Sequence, residues 1–447
     1  ITLLGSTAST LSGATTFYNF YCTTAGKALY FQSGETFTVS GKWNVVGSSG
    51  NNISLLSTAS STWYVNPATW SVNYVTVSYS YNKAAASINP TTWTDNGNNY
   101  NWTITGVTIA GSVYSDEGTT SYDSGSMSLS VNGGAASVVN FSGGTYIFSG
   151  VNLSDGSIII VYLNGGATFG STVSVVSSSG ITGFDIYLGR VVVRCDYGSS
   201  ITNANLATAK ISDSNIKYSV TSGTLDVSSE NELHIWTGDT FAPGGNVSVT
   251  SATCHVAAGA YLTLETNFLL VNTAGTLNIA GTLTVGAGTI DLAGDMNIAG
   301  GALISAGAES NIYIGGNWMN TGTFLSGIGR VIFDGTGSIS GSSVTTFNNL
   351  YLSTTGSVGL TADSIRINGN FELSAAGTFD QGTGAICLLG NMSRASAFYY
   401  TSDGTIHFIG STIQYYTSDG DSEKQNIGDI QISSSDIDNP TTLRLQS

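Results

Sequence analysis

The residues able to do chemistry are few and scattered. Between 252 and 373 the carboxylates are Glu265, Asp291, Asp295, Glu309, Asp334, Asp363 and Glu372. No two of them are spaced by two residues, the spacing that would set a pair side by side on one face of a strand. The three histidines, His234, His255 and His407, have no metal-ligating neighbour at i+2, i+3 or i+4. A Gly-x-Ser-x-Gly elbow, a Walker loop and a dinucleotide fingerprint are all missing. The expectation is therefore a non-enzyme with no catalytic residue and no organic cofactor.

Calcium is the one ion the sequence offers a place. Asp419, Asp421 and Glu423 alternate around Gly420 and Ser422, which makes them the metal-ligand candidates, although the run lacks the spacing of a helix-loop-helix calcium site and a solvated loop is the preferred reading. Asp95-Asn96-Gly97-Asn98-Asn99 raises the same question, yet Asp and Asn beside Gly form turns first. Trp63, Trp70, Trp93 and Trp102 crowd together with Tyr64, Tyr74, Tyr79, Tyr81 and Tyr100. Trp63 and Trp70 are the glycan-binding candidates, since flat rings stack on sugars; capping the end of a coil is the preferred alternative for the group. Cys22, Cys195, Cys254 and Cys387 show no CxxC spacing. Cys22 aligns with Leu352 in the repeat described below, an apolar position that favours a buried thiol over a disulfide.

These side chains must be positioned by strands. Only 9% of the residues are Asp, Glu, Lys or Arg, and 57 are glycine, while 41% are hydrophobic. That hydrophobicity is too high for a disordered chain, and Val, Ile, Thr and Tyr favour pleated structure over helix. The formal charge of −16 with 12 basic residues argues against nucleic acid, which needs clustered Lys and Arg. No apolar run is long enough to span a bilayer as a helix.

From 252 to 373 short alternating runs such as Thr276–Ile279, Thr282–Val285, Thr289–Leu292 and Met296–Ile298 are each followed by a glycine turn. Strands this short at such close spacing predict a coil of parallel strands, a β-solenoid, with Leu, Ile and Val inside and Thr, Ser and Asn outside. Self-similarity supports it. Thr15–Cys22 aligns without a gap to Thr345–Leu352, Ile1–Gly5 to Val331–Gly335, and Phe37–Trp43 to Ile365–Phe371. Ile427–Ser433 is a weaker copy, and Asn317–Gly335 resembles Asn391–Gly410.

Between the coils the strands lengthen, as in Ser126–Val131 and Ser157–Leu163. The expected domains are a solenoid segment over 1–102, an antiparallel β-sandwich over 103–178 and a second solenoid over 179–447. Gly111–Gly118, Gly144–Gly150 and Leu153–Ser157 resemble the carboxypeptidase-regulatory-like or prealbumin-like (Ig-like) sandwich domains of bacterial surface proteins, which implies a spacer or binding module. The coils, through Phe17–Phe20, Phe347–Leu350 and Thr94–Trp102, are similar to the Gly/Thr/Asn-rich parallel β-helix repeats of large bacterial adhesins of the filamentous-haemagglutinin kind. That resemblance implies an extracellular, cell-surface, structural or adhesive role and names no ligand.

The sequence opens and closes in mid-coil, so the partner expected is another coil, either a second copy stacked head to tail into a fibre or an adjoining segment of a larger surface protein. The competing expectation is a polysaccharide-binding or polysaccharide-cleaving β-helix, in which carboxylates from stacked coils converge unseen.

Overall fold

A computed structural model describes residues 1–447 apart from 49, 91, 103–105, 167, 229–230, 251–252, 273–274, 306–308, 419–426, 434–441 and 447. Strands dominate it, wound as a parallel β-solenoid of about 19 turns. The described residues group into two compact units, one of 1–110 with 147–155 and 178–182, the other of 111–146, 156–177 and 183–447.

In the second unit each turn lays down three strands. Leu277–Ile279, Thr282–Thr284 and Thr289–Leu292 make one turn, and Met296–Ile298, Ala302–Ile304 and Asn311–Ile314 the next. Each strand pairs in parallel with its counterpart on the following turn: Leu277 with Met296, Leu283 with Leu303, Ile290 with Ile312. Period-two alternation points every second side chain inward, where Leu, Ile, Val and Phe stack rung upon rung in a continuous core. Glycine and asparagine turn the corners. The Gly369 N–H donates to Asn348 O at 2.6 Å and the Asn370 N–H to Asn349 Oδ1 at 2.9 Å. Asn370 and Asn391 repeat the bond, accepting from the N–H of Asn391 and of Tyr415. A Cβ on Gly369 would lie 2.7 Å from Asn348 O, so only glycine fits that bend.

The first unit uses the same grammar. Thr36–Val46 runs along Thr15–Phe17 and then Phe20–Cys22, bending where the register shifts between Val39 and Lys42. Gly41 and Asn19 make the corner with the bonds seen at Gly369 and Asn349. The internal alignment is thus a structural one: Phe17 pairs with Val39 and Phe20 with Trp43, as Phe347 pairs with Ile367 and Leu350 with Phe371.

The long strands are antiparallel. Ser124–Val131 pairs with Ser137–Ser142 and Ser157–Asn164, and Ser157–Asn164 with Ser171–Val176. Their sheet is hydrogen-bonded edge to edge with the solenoid wall, because Ser171–Val176 lies parallel to Arg190–Cys195. Ser157–Asn164 is buried on both faces in consequence. Ile158, Ile160 and Tyr162 belong to the solenoid core. The Asn203–Ala209 helix, capped by Thr202 and Asn205 in a reciprocal box, tucks Leu206 and Ala209 into that core.

Candidate functional site

A group of ionisable and aromatic side chains lies on the outer face of one wall of the second unit. Strands Arg190–Cys195, Glu232–Ile235, Cys254–Val256, Leu277–Ile279, Met296–Ile298, Trp318–Asn320 and Gly337–Ser340 stack in order. Apart from Asn320, which is buried and bonds Thr345, their inward residues are apolar, so the outward column reads His234, His255, Asn278, Asn297, Met319, Ser340, one residue per turn.

At one end of that column Arg190 is held between two carboxylates, Glu117 at 2.8 Å and Glu232 at 3.4 Å. Glu232 also meets His234 Nδ1 at 3.1 Å. The His234 and His255 rings are stacked, with centroids 4.8 Å apart and planes 12° apart. Burial, and then the charge of His234, lower the His255 pKa, while Glu232 acts in the opposite sense. For Glu232 burial works to raise the pKa, but the His234 hydrogen bond and the Arg190 charge outweigh it and the net shift is downward. Alongside, the Arg194 guanidinium lies 5.3 Å from the ring centroids of both Phe184 and Trp236 and bonds Asp196 at 2.6 Å. Such cation–π contacts strengthen when water is excluded, and Arg194 is a largely buried residue.

Farther along, the Asn297 side chain donates to Asn278 Oδ1 at 3.1 Å. A second polar row runs beside the column. The Asn317 N–H and side-chain amide donate to Asp295 Oδ1 at 2.7 and 3.1 Å, and Ser338 Oγ donates to Asn317 Oδ1 at 2.9 Å. The two rows flank an open groove of about 310 Å³.

The residues singled out in the sequence fare differently. Trp63 is 0% exposed and stacks on Phe31 at 4.0 Å, with its Nε1 donating to Ser78 O, so a sugar would have to displace Phe31 to reach its face. Trp70 pairs with Trp43 and is partly buried against the same core. Trp93 stacks on Trp102, which meets Trp43 edge-on, as a cap requires. What this segment turns outward is tyrosine: Tyr64, Tyr81 and Tyr100 run edge to face, and Tyr100 is 70% exposed. Asp95 Oδ1 accepts from the Gly97 N–H and from Asn99 Nδ2, a turn closed on itself. Asp419, Asp421 and Glu423 lie outside the described residues. Among the described residues no group of three His, Cys, Asp or Glu side chains is arranged to hold a metal. The four cysteines are free, with Cys22 and Cys254 buried.

Sequence reasoning missed the Arg190–Glu232–His234–His255 group. Glu232 and His234 stand two residues apart, the spacing that places both on one strand face, and a search for partners downstream of each histidine passes over it. His255 joins them only through the stacking of turns. No family profile, curated protein or solved structure matches the chain.

Proposed function

We propose that this is a non-catalytic extracellular structural or adhesive protein whose solenoid ends stack head to tail, one copy on the next, into a surface fibre. One observation carries the reading. Positions that are fully covered inside the coils are left uncovered in the first described coil of one unit and in the last described coil of the other. Ile406 and Phe408 are buried, yet Ile430 and Ile432, their partners one turn on, are 42% and 49% exposed. Leu3 and Phe17 are only partly buried, whereas Phe333 and Phe347, at the equivalent places in the repeat, are fully buried. An uncovered rung offers backbone N–H and C=O groups together with aliphatic side chains, and another coil satisfies both. The occupant is another coil, of a second copy or of an adjoining segment of a larger surface protein; a second copy makes a heterologous contact that propagates rather than closes.

In this reading the antiparallel strands around Ser124–Val131 and Ser157–Asn164 are an inserted spacer of the carboxypeptidase-regulatory-like or prealbumin-like kind. A surface rich in Ser, Thr, Asn and Gly and poor in charge suits an exported protein that meets few specific ionic partners. Sedimentation and negative-stain microscopy of the purified chain test the proposal. Fibres or concentration-dependent oligomers are expected, and Ile430→Asp with Ile432→Asp is expected to abolish them while leaving the fold intact. A wild-type chain that stays monomeric at high concentration would refute it.

A further inference from the structure

We infer that the groove over Thr276, Asp295, Asn297, Asn317, Met319 and Ser340 binds a neutral, hydroxyl-rich glycan laid along the stacking direction of the coils. Its volume, about 310 Å³, is of small-ligand size, and its lining mixes donors and acceptors over successive turns. Asn297 Oδ1 is a buried acceptor with no hydrogen-bond donor. Its orientation is set, because the same amide gives its N–H to Asn278 Oδ1. A buried acceptor left unpaired is costly, and because this oxygen is closed to solvent, a ligand hydroxyl satisfies it only when the flexible Met319 side chain on the next rung turns aside. Met319, 39% exposed on the next rung, supplies a soft apolar surface for the C–H face of a sugar ring. The stacked His234 and His255 rings continue the same column; His255 lies two rungs from Asn297, about 10 Å at the spacing of paired strands.

Other ligand classes fit less well. No cation lines the groove, and its carboxylate, Asp295, disfavours an anion. Asp295 Oδ1 already takes two donors from Asn317, and a single carboxylate is a poor cation cage. A peptide strand would need a free sheet edge, whereas the backbone here is paired to the turns on either side.

The site is independent of fibre assembly, so its test uses the Ile430→Asp, Ile432→Asp chain in parallel with wild type. Co-sedimentation with insoluble cellulose, xylan and chitin, with polygalacturonate as the acidic control, reads binding directly for the assembly-deficient chain and, for wild type, as the excess over the pellet formed without polymer. Retention on at least one neutral polymer is expected for both chains. Asn297→Ala and Met319→Asp should each weaken it about tenfold or more, the loss of one hydrogen bond or one packed surface, with unchanged thermal unfolding. Tyr100→Ala, at the outward tyrosines of the other unit, should leave it unchanged. Failure of every neutral polymer to bind, preference for polygalacturonate, or loss through Tyr100→Ala with the groove variants intact would overturn the inference.

Discussion

Phe347 and Phe17 occupy the same place in two copies of one repeat, and replacing each by alanine should have unequal cost. Phe347 is fully buried; its ring lies 5.3 Å from Trp318 and 5.8 Å from Phe324, and Ile367 covers it on the following turn. A phenylalanine buries about 150–250 Å², of which alanine keeps roughly a third, so at ~25 cal/mol per Å² the transfer loss is about 2.5–4 kcal/mol. The cavity cannot collapse onto rings pinned by neighbouring turns, which brings the expected total to about 3–5 kcal/mol. Phe17 is only partly buried; Val39 covers it on one side and Phe20 meets it edge-on at 5.4 Å. With one side open it should lose about half as much, ~1.5–2.5 kcal/mol, in the unassembled chain. Because the two compact units need not unfold together, the readout is urea-dependent hydrogen exchange resolved to the peptides around each residue. Equal losses, or a Phe347→Ala loss below about 1 kcal/mol, would refute the claim that burial by both neighbouring turns distinguishes the two sites.

Three further outcomes are expected. Gly369→Ala should cost about 2–3 kcal/mol by forcing Cβ against Asn348 O, while Gly359→Ala, whose Cβ meets nothing within 4 Å, should shift urea stability by less than about 0.5 kcal/mol. The His255 pKa is lowered from 6.5, so between its folded pKa and 6.5 the unfolded chain binds more protons; stability should fall as pH drops below about 6.5 and level off below the folded pKa. His255→Asn, which copies Asn278 on the next rung, should flatten thermal stability between pH 7 and 5, while Glu232, which loses one of the charges that lower its pKa, shifts upward; an unchanged profile would sink the assignment. A thiol reagent at pH 8 should modify Cys195 and Cys387 first, leaving Cys22 and Cys254 untouched until the chain unfolds, since burial pushes the Cys254 thiol up to about 12; early labelling of Cys254 would contradict its place in the core.

Much of the fold was legible because its rules are local. The runs around Leu277, Leu283, Ile290 and Met296 announced their inward and outward faces by alternation, and the match of Thr15–Cys22 to Thr345–Leu352 foretold pairings made in separate units. The antiparallel character of Ser126–Val131 was readable from strand length, but its edge-to-edge pairing into the solenoid wall was not. For Trp63 and Trp70 the sequence left packing, the preferred reading, beside a sugar platform, because aromatic side chains announce area and not direction; only the surrounding turns reveal that Trp63 lies under Phe31.

The amino-acid sequence by itself determined which side chains face the core and where each turn bends, because a strand's period of two and a glycine's freedom at a corner act over a few residues. Which residues become neighbours across turns was decided only by the tertiary structure. Successive turns vary in length, from the 17 residues between Trp63 and Ser80 to the 42 between Arg190 and Glu232. The stacking of His234 on His255 and the clasp of Glu117 on Arg190, 73 residues away, therefore depend on the accumulated register of the whole coil rather than on any local spacing.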